Sequence, residues 1–193
     1  MRTDSVNLSE SAIQSSRSLV KKLYGESYLS DGPRRYTSKA KGAQEAHEAI
    51  RPTHFNLISA GTTEEQKKLY RLIWERTVSS QMIDAKVLRT KITAEIEGEK
   101  LPEFQSNGSR ILSLGWLTVD TAARGEDVEL PEVKKGEYLK LIDLRSIEKA
   151  TEPPNRYSEA GLVKELEARG IGRPSTYASI MRTLEDQIGR AHV

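Results

Sequence analysis

The sequence predicts an α+β chain built in several parts, and three observations carry that expectation. Apolar residues recur at helical spacing over residues 1–83, alternate as strand residues do over 84–146, and return to helical spacing over 147–187. Turn residues (Gly98, Pro102, Asn107-Gly108, Gly125 and Gly136) punctuate the middle stretch. Only 36% of the 193 residues are hydrophobic while 30% are charged, so the core is modest or is shared with other segments.

The first part opens with MRTDSVNLSESAIQSSRSLVKKLYG. Asn7 and Ser9 are cap candidates, Ile13, Leu19, Val20 and Leu23 form an apolar stripe, and Gly25 is the stop. YLSDGPRRYTSKAKGAQ reads as a loop that turns at Asp31-Gly32-Pro33. AHEAIRPT reads as a short helical turn ended by Pro52. In TTEEQKKLYRLIWERTVSSQM, Thr62 and Glu65 fit a capping box, followed by Leu69, Leu72, Ile73, Trp74, Val78 and Met82 near helical spacing. Trp74 and Trp116 stand in apolar patterns and are expected in the core.

In the middle part Leu88, Thr90, Ile92, Ala94 and Ile96 alternate, and RILSLGWLTV and EYLKLIDL are further strand candidates, giving a small antiparallel β region. In the last part Pro153-Pro154 stiffens the approach, and Ser158 caps EAGLVKELEAR. Gly170 takes the left-handed position after that helix, and Pro174 suits the first turn of the next. Two short helices about a Gly-containing turn make a helix-turn-helix shape.

Composition excludes several classes. The chain holds no cysteine, which rules out a disulfide framework, a thiolate zinc site and a thiol nucleophile in these residues. The formal net charge is +2, so any nucleic-acid site must be a local arrangement. No apolar run is long enough to span a bilayer and no signal peptide is recognised, so the expected location is cytoplasmic, with no membrane partner.

Four stretches hold candidate chemistry. In GIGRPSTYASI a helix start carries unpaired N–H groups, Arg173 offers a planar charged fork, and Ser175 and Thr176 offer hydroxyls. This composition suits a phosphate seat, and it equally suits an ordinary cap beside a solvated arginine. In AHEAIRPT, His47 and Arg51 share a helical face and could grip phosphate; otherwise they are a surface histidine and a solvated charge. A zinc reading fails because the second histidine of the HExxH pattern is replaced by Arg51. MRTDS mixes Arg2, Asp4 and hydroxyls and alone reads as a polar segment. GPRRYTSKAK is the densest basic segment, either a track for a nucleic-acid backbone or a solvated loop.

Together MRTDSVNLS, YTSKAKGAQEAHEAIRPT, LYRLIWERTVSSQM and RYSEAGLVKELEARGIGRPSTYASI resemble the bacterial DNA topoisomerase I family, of the type IA class, in the family's order and at about its spacing. The forms of MRTDS and HEAIRPT are closer to topoisomerase I than to topoisomerase III. The resemblance implies relaxation of negatively supercoiled DNA by transient single-strand cleavage through a 5′ phosphotyrosine and strand passage. It implies Mg²⁺ as cofactor, held by an acidic domain outside this chain, a single-stranded DNA segment as partner, and a monomeric whole enzyme in the cytoplasm at the nucleoid. It places residues 1–83 in the helical gate domain that bears the tyrosine, 84–146 in a β arch that hinges it, and 147–187 in the helical domain that holds the strand. Arg2 is the implied catalytic cation, two positions beyond a tyrosine that in the family directly precedes the methionine. None of the seven tyrosines here stands in that context, so the chain alone is expected to bind single-stranded DNA and not to relax a plasmid. His47, Arg173, Ser175, Thr176 and position 187 are the implied DNA contacts; no metal ligand falls in this chain.

The resemblance stops at Asp186. The family continues with Asp-Arg-Gly-Tyr-Val, whereas this chain has Gln187 and then IGRAHV, the hexapeptide that a common sequencing-adapter read would encode. Residues 188–193 are therefore expected to be a non-native tail, with an arginine native at the position of Gln187. Two other classes fit the bare residues: a non-catalytic nucleic-acid-binding module, and a helix-turn-helix scaffold protein without nucleic acid. Salt-dependent binding to single-stranded DNA separates them.

Overall fold

The structure is a computed structural model that describes residue 3 and residues 5–37, 48–98 and 102–191, the stretch 188–191 by its backbone alone. Among the described residues it has four helices and one two-stranded antiparallel sheet, a mixed α+β arrangement.

Helix α1, Glu10–Tyr24, begins where the extended Ser9 accepts the Ala12 N–H on its hydroxyl at 3.4 Å. It ends at Gly25, whose φ of 94° suits glycine and whose N–H returns to the Lys21 carbonyl. Ala12, Ile13, Ser16 and Val20 are its buried positions, while Leu23 is exposed. Helix α2, Glu64–Ser79, starts one residue later than the sequence suggests. Its capping box is Thr63 with Gln66, not Thr62 with Glu65. The Gln66 amide oxygen accepts from the N–H of Thr62 and of Thr63, and from the Thr62 hydroxyl, so one acceptor collects three donors that Glu65 does not reach.

The core lies between these helices. Ala12, Val20, Phe55, Trp74, Val78, Met82 and Val119 form its buried cluster, and the Trp74 indole N–H donates to the Phe55 carbonyl at 2.8 Å. Trp116 is partly buried against it. Leu69 and Leu72, although at helical spacing, face solvent. The loop after α1 is tied across the end of α2. Leu29 bridges Met82, the Arg17 guanidinium donates to the carbonyls of Ser30 and Gly32 and to the Ser30 hydroxyl, and the Tyr36 hydroxyl donates to the Ser80 carbonyl.

Three expectations are corrected here. AHEAIRPT is not helical over its described residues 48–53. Its backbone turns to the N-terminal segment instead: the Ala49 N–H donates to the Asn7 carbonyl at 2.7 Å, a long-range bond that a helical turn would forgo. RILSLGWLTV is strand only to Ser113. Gly115–Thr118 is a 3₁₀ turn, and its Leu117 and the following Val119 are buried. EYLKLIDL forms no strand and is exposed throughout, Ile142 to 92%.

Strands β1, Lys86–Ala94, and β2, Phe104–Ser113, pair antiparallel, with an irregular register near Lys86 and Val87. Asn107-Gly108, a turn signal in sequence, lies inside β2 opposite Lys91 and Thr90. Glycine is needed there because the chain at Val128 bridges Ser109, and a Cβ on Gly108 would stand 2.6 Å from the Val128 carbonyl oxygen.

Helix α3, Glu159–Ala168, is capped by the Ser158 hydroxyl on the Gly161 N–H, as expected. Arg169 is its C-cap, still in the right-handed helical region of the backbone. Gly170, at φ 70°, donates to the Glu167 carbonyl, and Ile171 donates to that of Leu166; this is a Schellman ending. Helix α4, Tyr177–Ala191, follows, so the backbone of 188–191 continues the helix. No residue between 121 and 187 is buried.

Candidate nucleic-acid interface

Two hydroxyls near the N-terminus turn back onto the described backbone. Thr3 Oγ1 accepts the Ser5 N–H at 3.0 Å, and Ser5 Oγ accepts the Asn7 N–H at 3.2 Å, two successive side-chain turns. Arg2, the expected catalytic cation, and His47 lie outside the described residues. What is described beside them is a carboxylate crossing. Glu48 Oε1 accepts the Ser9 N–H at 2.8 Å and the Arg51 Nε–H at 2.6 Å, and Oε2 accepts from Arg51 Nη2 at 3.1 Å. These donors, the Arg51 fork foremost, pull the Glu48 carboxyl down to about 2 although partial burial opposes them. Arg51 also donates to the Pro52 carbonyl, so its fork is engaged within the protein.

The basic segment is likewise tied down where it is described. Arg34 Nη1 donates to Asp84 at 2.7 Å, an exposed pair that lowers the Asp84 carboxyl and raises the Arg34 guanidinium. Arg35 pairs with Glu10. The Arg34 backbone N–H donates to the Gln81 side-chain oxygen at 3.1 Å, and the Gln81 amide donates to the Arg34 carbonyl at 3.0 Å. Fully buried Gln81 thus acts as a short piece of backbone for the loop to pair with. Its signal was available in the sequence as a polar residue between the apolar positions Val78 and Met82. Lys39 and Lys41 lie outside the described residues.

In GRPST the turn is built as a cap. The Arg173 carbonyl accepts from the N–H of Thr176 at 2.8 Å and of Tyr177 at 3.1 Å, so helical bonding starts at Arg173, and Pro174 occupies a place where no N–H is needed. The Thr176 hydroxyl reaches back to the Arg173 backbone, accepting its N–H at 2.8 Å. Gly172, at φ 76°, permits this fold: a Cβ there would lie 2.9 Å from Ile180 Cδ1 and 3.1 Å from Thr176 Oγ1. Arg173, Ser175 and Thr176 therefore stand together, all exposed, on one tight turn. Gln187, also exposed, lies further along α4, about 15 Å away at the helical rise.

Among the described residues no group of three or more His, Asp or Glu side chains is placed to hold a metal ion. No described helix is long and apolar enough to cross a membrane.

The comparisons with known proteins agree with the motif order. The family model described as DNA topoisomerase matches residues 1–187. DNA topoisomerase 1 of Mycobacterium leprae is 48% identical over 97% of this chain and 21% of its own length. That of Synechocystis is 43% identical over 97% of this chain and 22% of its own. Full-length topoisomerase I of Thermotoga maritima superposes with a TM-score of 0.79 at 34% identity, covering 96% of this chain and 30% of that one. The chain belongs to the DNA topoisomerase family, in its bacterial type IA branch. It spans about a fifth of the length of these curated relatives.

Proposed function

We propose that this chain is the part of a type IA topoisomerase that grips a single DNA strand beside the cleavage site, in an enzyme that relaxes negatively supercoiled DNA. The observation that carries the reading is the family match across residues 1–187, which takes in MRTDS, HEAIRPT and GRPST together. In the whole enzyme a tyrosine attacks a phosphodiester, its oxygen takes the 5′ phosphate, and the 3′ hydroxyl leaves. The bond energy stays in the phosphotyrosine, so religation needs no nucleotide. Arg2 is the cation that stabilises the charge gathered on the pentavalent phosphate, and His47 binds a neighbouring phosphate. Mg²⁺, where the enzyme uses it, is held outside the described residues.

Residues 1–83 serve in this reading as the gate, 84–146 as part of the hinge arch and 147–187 as the strand holder. Arg173, Ser175 and Thr176 form one phosphate seat. In the free chain the Thr176 hydroxyl is engaged with the Arg173 backbone, so the turn is set before the strand arrives. Position 187 contacts the strand further along α4. The seat reads backbone and not base edges, so its loss weakens binding to all sequences alike.

The test is binding of a labelled single-stranded oligonucleotide at several salt concentrations. Arg173→Ala is expected to lower affinity and to make the slope of log K against log salt shallower by about 0.7, the single-strand value for one phosphate contact. Unchanged slope and affinity return the turn to an ordinary cap. A wild-type chain with no salt-dependent binding overturns the strand-gripping reading as a whole.

A further inference from the structure

We propose that Glu48 is a positioning residue for this interface, fixing residues 5–9 against residues 48–51 by holding the Ser9 amide on one side and the Arg51 fork on the other. The inference rests on the strand-gripping reading above. Residues 9 and 48 are far apart in sequence, yet one carboxylate oxygen accepts from both Ser9 N–H at 2.8 Å and Arg51 Nε–H at 2.6 Å. A second long-range bond lies beside the first, Ala49 N–H to the Asn7 carbonyl at 2.7 Å. Two bonds at neighbouring positions fix rotation as well as distance, which one bond would not.

Both ends of the crossing are themselves stiff. Ser9 is the cap of α1, its hydroxyl committed to the Ala12 N–H. N-terminal to Ser9 the Ser5 hydroxyl accepts the Asn7 N–H and the Thr3 hydroxyl accepts the Ser5 N–H. On the other side Arg51 holds Glu48 with two N–H groups in fork geometry, and both side chains are largely covered, 25% and 29% exposed. A charge-assisted pair this sheltered is held more firmly than a surface ion pair. His47 is the covalent neighbour of Glu48, and Arg2 precedes the turns that Ser9 anchors. Glu48 therefore acts on DNA through the segments that bear these two residues, and Arg51, its fork filled, is a support and not a phosphate contact.

The test uses the 193-residue chain and a fluorescent oligothymidine, with dissociation constants from anisotropy and folding checked by thermal melting. Glu48→Ala is expected to weaken binding about tenfold, within the range for changes that act through positioning. Glu48→Gln keeps an oxygen for the Ser9 N–H, and should restore affinity to within about threefold of wild type. Adding Glu48→Ala to His47→Ala should cost less than about twofold more, because both remove one function. Should Glu48→Ala fail to fold, Arg51→Lys, which keeps the charge and loses the fork, takes its place in the same cycle with about threefold weaker binding expected. Wild-type affinity in Glu48→Ala, no rescue by Glu48→Gln, or fully additive losses with His47→Ala overturn the positioning role while leaving the strand-gripping reading intact. A wild-type chain that does not bind the oligonucleotide overturns that reading, and this inference with it.

Discussion

Residues 5–120 and residues 121–187 treat their apolar side chains in opposite ways. In the first region Val20, Val78 and Met82 are wholly buried and Trp74 is 3% exposed. In the second nothing is buried, and Tyr138 and Ile142 stand 84% and 92% exposed. Yet both regions form well-capped helices. The difference separates two causes of structure. A cap or a Schellman ending needs only neighbours in sequence, whereas a core needs segments that meet from a distance. The α1–α2 region has such partners in Phe55 and Val119. The α3–α4 region has helices without a core of its own among the described residues.

The comparison is broken most directly by removing one large apolar side chain from each region. Trp74→Ala takes an indole from the buried cluster and orphans the Phe55 carbonyl, so it should cost about 3–5 kcal/mol of unfolding free energy. Ile142→Ala should change it by less than about 0.5 kcal/mol. Urea titration followed by circular dichroism measures both. Comparable losses would mean that the second region is packed into the same cooperative unit.

Gln81→Ala sharpens the account of the first region. The amide serves the Arg34 N–H and carbonyl together from a fully buried position. Truncation leaves two backbone groups without that partner, at an expected cost of about 1–3 kcal/mol. Faster hydrogen exchange at the Arg34 amide should accompany it. An unchanged urea midpoint would mean that water replaces the amide at no cost.

The split between local and distant causes also explains what could be read from sequence. Ser9, Gly25, Ser158 and Gly170 stand where their chemistry predicts, because each acts within a few residues. The helical reading of AHEAIRPT fails because the Asn7 carbonyl and the Ser9 amide, invisible to any local pattern, claim the segment. Asn107-Gly108 misleads for the same reason: its glycine answers the approach of Val128 and not a turn. In GRPST the turn chemistry of Gly172 and Pro174 was legible. The engagement of the Thr176 hydroxyl was not, since it depends on where the chain at Arg173 returns. The residues that join stretches, Glu48 and Gln81, act on partners some forty residues away, and no local pattern marks such a role.

The smallest effect distinguishes the regions most cleanly, because it applies the same chemistry to both. Ser9 and Ser158 are caps of one type: each hydroxyl accepts the N–H three residues on, at 3.4 Å from Ala12 and 3.2 Å from Gly161. Replacing either with alanine removes about 1 kcal/mol from its helix. In α1 the loss is carried into the core by Ala12 and Val20, so Ser9→Ala should lower the global unfolding free energy by about that amount. In α3 no residue is buried, so Ser158→Ala should leave the urea midpoint unmoved. Its effect should surface locally, as roughly fivefold faster exchange at the amides of Gly161 and Leu162, the kinetic equivalent of about 1 kcal/mol. If Ser158→Ala instead shifts the global transition as Ser9→Ala does, the two helices share one cooperative unit, and the contrast drawn from burial does not extend to stability.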